Sequence, residues 1–119
     1  MRYPPIPTVD QVAAQFCRAV RAAERSDNPY RHWKIREVFP VDLCTGILTL
    51  PVAPPQLGRT DGTRNSYNKS RCFITPLLCS KFPTCQVLSD ALQRSDVARL
   101  MAETCGIRAE GSYLRMEYI

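Results

Sequence analysis

Apolar residues recur at helical spacing near the start of the chain and alternate at strand spacing near its end. After a proline-rich lead, Thr8-Val9-Asp10-Gln11 has the form of a capping box, in which the Thr8 hydroxyl meets the amide of Gln11 while Gln11 reaches back. Val9, Val12, Ala13, Phe16, Val20 and Ala23 then follow at three- and four-residue steps, with Arg18, Arg21 and Arg25 largely off that stripe. The pattern predicts an amphipathic helix of about 17 residues, ended by Ser26-Asp27-Asn28-Pro29, because proline disfavours helix at the residue before it.

His32 to Phe39 is rich in strand formers and predicts a strand ending at Pro40. A short helix is expected from Val41 to Leu50, with Leu43, Ile47 and Leu50 on one face and Pro51 closing it. Residues 51–62 read as a loop, with turns at Gly58 and Gly62, and residues 63–74 as a polar strand or loop that turns apolar at Cys72-Phe73-Ile74. Thr75-Pro76 is a cap-then-proline helix start, and Pro83 ends or restarts that helix. Val87, Leu88, Ala91 and Leu92 continue an apolar stripe, Ser95-Asp96 can cap a further helix, and Gly106 stands where a C-terminal glycine stops one. After Gly111, Tyr113, Arg115 and Glu117 alternate with Leu114, Met116 and Tyr118, the period of a half-buried strand.

Together these elements predict an α+β domain over residues 1–119, with helices packed on an incomplete antiparallel sheet. The final strand needs neighbours, which must come from other residues or from another chain. At 119 residues the chain can bury about 60% or a little more of its unfolded surface in one core. With 45% hydrophobic and 23% charged residues, the composition is that of a globular protein. No apolar run approaches the roughly 20 residues that span a bilayer, and Met1-Arg2-Tyr3-Pro4-Pro5 lacks the apolar stretch of a signal peptide, so the expectation is a cytoplasmic protein with no membrane partner.

Six cysteines, at 17, 44, 72, 79, 85 and 105, are scattered without CxxC pairs, which favours thiols over disulfides or a structural zinc site. The net charge of +5 is uneven: residues 1–36 carry +4, 37–56 carry −2, 57–81 carry +4 and 82–119 carry −1. Thirteen of the sixteen basic residues are arginine, whose planar fork suits carboxylates and phosphates. The densest polar cluster is Arg59, Arg64, Asn65, Tyr67, Asn68, Lys69 and Arg71, and within it Arg64, Asn68 and Arg71 are the candidate substrate- or anion-binding residues. No catalytic residue emerges. His32 is the only histidine, no nucleophile motif surrounds it, and neither GxGxxG nor GxxxxGK is present.

Leu114-Arg115-Met116-Glu117-Tyr118 resembles the strand that leads into the HxD metal motif of bacterial 2-oxoglutarate/Fe(II)-dependent oxygenases of the prolyl-hydroxylase-like kind. The upstream order resembles the N-terminal portion of the same family: His32-Trp33 with its strand, Leu43-Cys44, Gly62-Thr63-Arg64, Asn68, Arg71, and Phe82-Pro83 before a helix pair. The resemblance implies a double-stranded β-helix (cupin-like) fold, Fe(II) held by two histidines and a carboxylate, and 2-oxoglutarate gripped by a basic residue. Tyr118 matches the aromatic before HxD, which implies a place lining the co-substrate pocket. This sequence has no HxD motif and no second histidine, so it carries no metal ligands over from the family. The expectation is therefore an N-terminal part of such an oxidoreductase, inactive alone, whose Fe(II) and 2-oxoglutarate await a C-terminal half or a second chain pairing with the terminal strand. Nucleic acid is not expected as a partner on this reading. The alternative is a small basic module that recognises an anionic partner, nucleic acid or acidic protein, through Arg59, Arg64, Lys69 and Arg71.

Overall fold

A computed structural model describes residues 5–51, 72–108, 110–111 and 116–118. In chain order the elements are α1 (Val9–Arg21), β1 (Glu24–Ser26), β2 (His32–Lys34), α2 (Val41–Leu48), β3 (Cys72–Phe73), α3 (Pro76–Lys81), α4 (Pro83–Leu92), α5 (Ser95–Cys105) and β4 (Glu117–Tyr118). The class is α+β. Helix packs on helix: α4 touches α1, α2, α3 and α5, and α1 also lies against α5. The strands form two separate antiparallel ribbons, β1 with β2 and β3 with β4.

Local chemistry accounts for most helix boundaries. The Thr8 capping box forms as the sequence requires, with Gln11 N donating to Thr8 Oγ1 at 3.1 Å and Thr8 N donating to Gln11 Oε1 at 2.9 Å. Thr75 caps α3 by accepting from Leu78 N at 3.2 Å, with Pro76 in the first turn. Phe82 is extended and separates α3 from α4, so Pro83 restarts the helix. Gly106 ends α5 at φ 68°, a conformation that a Cβ would disfavour.

Three boundaries differ from the sequence reading. α1 spans 13 residues, not about 17: Ala22 closes it by donating to Arg18 O, and the next residues leave the helix to form β1. The strand expected over His32 to Phe39 stops at Lys34, because β1 offers three residues to pair with, Glu24 opposite Lys34, Arg25 opposite Trp33 and Ser26 opposite His32. Beyond it Glu37 adopts φ 52°, held by Gln15 Nε2 donating to its carbonyl at 2.8 Å, and the turn delivers Phe39 onto Phe16 with ring centroids 6.0 Å apart. At α5, Ser95 is the first helical residue and not the cap. Arg94 holds the N-cap position, while Asp96 accepts from Val97 N at 3.0 Å.

Arg94 also links two helix starts. Its Nη1 lies 2.7 Å from Asp10 on α1, and its Nη2 and Nε lie 2.9 and 3.0 Å from the Asp96 carboxylate. The hydrogen bond from Arg94 holds the Asp96 carboxyl below the usual aspartate range, and the bond to Asp96 in turn raises the Arg94 guanidinium.

The core is small in side-chain volume. Val12, Ala13, Cys17, Leu43, Leu88, Ala91 and Val97 form one buried cluster, edged by Phe16, Phe39, Ile47, Ile74, Leu100 and Met116 among others. Of the α2 face expected from the sequence, Leu43 is fully buried and Ile47 packs on the cluster, while Leu50 lies past the helix end and is half-buried. Where α2 meets α4, a Cβ placed on buried Gly46 would stand 3.1 Å from both Cγ2 and Oγ1 of Thr84. Overpacking costs about 1–3 kcal/mol, against about 1 kcal/mol of helix propensity gained by alanine. Gly46→Ala is therefore expected to destabilise the protein by about 1 kcal/mol, but to stabilise it in a Thr84→Ala background. Denaturant unfolding of the four-member cycle reads this, and equal effects in both backgrounds would contradict the packing.

Candidate functional site

Arg64, Asn68 and Arg71, together with Arg59, Asn65, Tyr67 and Lys69, lie outside the described residues. Tyr118 is placed: it sits in β4 opposite Cys72, with Glu117 opposite Phe73. Ile74 N donates to Met116 O at 2.9 Å, and both Ile74 and Met116 pack against the helical core. The β3–β4 ribbon is thus fastened to the helices at one end.

The most organised cluster of polar and aromatic side chains is on the β1–β2 hairpin. β1 and β2 are joined by a turn containing a cis Asn28–Pro29 peptide. Since Arg25 pairs directly with Trp33, and Arg31 precedes Trp33 by two residues, all three side chains share one face. The Arg31 guanidinium carbon stands 5.5 Å from the Trp33 ring centroid and that of Arg25 stands 6.0 Å from it. Arg31 goes further, donating from Nη2 to Cys105 O at 2.8 Å and so placing a cation on the last turn of α5. On the opposite face, Tyr30 meets His32 edge-on at 5.5 Å, and His32 Nδ1 donates to the Tyr30 carbonyl at 2.8 Å. Arg25 also pairs with Asp27 at 3.1 Å. Tyr30 is 70% exposed, and Lys34 at the far end of β2 and Arg36 beyond it are also exposed.

A second feature is an open groove of about 600 Å³ between the Pro5–Pro7 lead, α1 and the start of α2. Asp10, Gln11, Gln15, Arg18 and Asp42 supply its polar groups, two carboxylates against one guanidinium. This mixture selects no single charge of ligand.

Sequence reasoning missed the hairpin cluster by extending α1 through Arg25. The signal was present in Asn28-Pro29, a turn dipeptide flanked by Arg25 on one side and the alternating Arg31 and Trp33 on the other. Among the described residues no group of three His, Cys, Asp or Glu is arranged to hold a metal ion. The iron triad of the resembled family also needs two imidazoles, and His32 is the only one in the sequence. The residues present do not fit that metal. Cys17 and Cys79 are buried thiols, Cys44 is exposed and Cys105 is partly covered. No described helix is long and apolar enough to cross a membrane. Comparison with protein-family models, with curated proteins and with solved structures finds no match to this chain.

Trp33 is the sole tryptophan and reports on the hairpin directly. Arg31→Ala removes both the contact with its ring and the bond to Cys105 O, and is expected to cost about 1 kcal/mol and to change Trp33 emission. Arg99→Ala, on the exposed side of α5, should leave the emission unchanged. Identical spectra for wild type and Arg31→Ala would show that the clasp does not form.

Proposed function

We propose that this chain is the N-terminal, helix-bearing part of a 2-oxoglutarate/Fe(II)-dependent oxygenase-like protein and is inactive by itself. The reading is carried by β4. The residues that resemble the strand before the family's HxD motif, Leu114 to Tyr118, end in a strand that pairs antiparallel with β3. In the family's cupin-like arrangement such a ribbon is the seed of a larger sheet, with the helices covering one side. Support also comes from Ile74 and Met116, which anchor the ribbon to the helical core, as a sheet built against helices requires. On this reading Tyr118 belongs to the co-substrate pocket, Arg64, Asn68 and Arg71 are the candidate substrate- or anion-binding residues, and the iron ligands come from residues beyond these 119 or from a second chain.

Because one copy offers a single imidazole, no catalytic step is assigned to it. Anaerobic titration of the 119-residue chain with Fe(II) and 2-oxoglutarate is expected to give no visible charge-transfer absorption. A saturable band at one equivalent of iron would overturn the assignment of the metal ligands to other residues.

A further inference from the structure

We propose that the β1–β2 hairpin, with Tyr30 in its turn, Lys34 at the end of β2 and Arg36 just beyond it, is a docking surface for single-stranded nucleic acid. This inference is independent of any oxygenase chemistry and departs from the sequence-based expectation of no nucleic-acid partner. Three observations combine. Residues 18–36 hold Arg18, Arg21, Arg25, Arg31, Lys34 and Arg36 against Glu24 and Asp27, a net +4 in 19 residues, and all six basic residues are exposed. Two of these cations already have partners, Arg25 with Asp27 and Arg31 with the α5 carbonyl, and both are held near Trp33. They stiffen the hairpin and keep positive charge on it. Finally, Tyr30 is 70% exposed and is steadied edge-on by His32 at 5.5 Å, while the His32 ring is itself fixed by its bond to the Tyr30 carbonyl.

An exposed ring on a hairpin whose flanking residues carry net positive charge suits a nucleobase, which stacks on it while phosphates meet the basic groups. Acidic peptide would use the charges but has no planar group to meet the ring. A regular duplex keeps its bases stacked inside, out of reach of Tyr30. Single strands therefore fit the combination best.

The test is fluorescence anisotropy of a labelled twelve-residue thymidine oligonucleotide with the full 119-residue chain. Wild type is expected to bind at 50 mM salt. With three to four phosphates engaged, affinity should fall roughly 20- to 50-fold by 200 mM. Tyr30→Ala should weaken binding roughly five- to hundredfold. Lys34→Glu/Arg36→Glu should weaken it at least tenfold, while the charge-matched control Arg99→Glu/Arg108→Glu should lose less than threefold. Circular dichroism checks that each variant keeps its helices. Absence of binding at 50 mM salt overturns the proposal, as does equal loss in the two double variants, an unchanged Tyr30→Ala, or tighter binding of a glutamate-rich peptide of equal length. Fe(II) is absent throughout, so failure here leaves the oxygenase reading untouched, and failure of that reading does not affect this surface.

Discussion

The burial of one face of α4, Cys85, Leu88 and Ala91, is the constraint on which the other described elements depend. α4 is the element that α1, α2, α3 and α5 all touch, and its Leu88 and Ala91 share one buried cluster with Val12, Ala13 and Cys17 of α1. Much of that contact involves short side chains. Ala13 and Ala91 at the centre, and Gly46 against Thr84 at the α2 crossing, let backbones approach closely, so packing depends on shape more than on the volume of any one residue. Leu43 is the largest of the fully buried side chains, and deleting buried groups of its kind typically costs about 2–5 kcal/mol.

Around this centre, polar ties fix what apolar packing leaves free. Arg94 joins the starts of α1 and α5 through Asp10 and Asp96, and Arg31 joins the hairpin to the end of α5. Both ties are solvent-accessible and so contribute modestly to stability, yet each restrains elements far apart in sequence. The hairpin is therefore positioned by α5, and its basic and aromatic face projects from a body to which it contributes little burial.

Helix starts and stops were legible in the sequence wherever a side chain or a φ restriction acts locally. The Thr8 box, Thr75-Pro76, Pro83 and Gly106 all do in the structure what their chemistry dictates. The end of α1 was not legible, because three pairs of strand residues and the Arg25–Trp33 contact compete with one more helical turn, and that competition involves partners the helical period does not reveal. Likewise, Ser95 is a good cap by type, but Arg94 takes the position because its guanidinium reaches two carboxylates at once. Tyr118 fell in a strand as expected, and its partner Cys72 came from the apolar end of the 63–74 segment. The hairpin site was hidden by the overlong helix, which assigned Arg25 to a solvated helical face.

On the proposed reading, this helical body with its two short ribbons and the single histidine of the sequence is a unit on which a larger sheet and a metal site would be built. The intact mass of the protein as its native source makes it tests this claim most directly. The account predicts a mass well above the 13.5 kDa of these residues, with sequence continuing past Ile119 into an HxD motif and a further histidine. A mass matching the 119 residues would contradict it and leave the basic hairpin as the feature around which function must be sought.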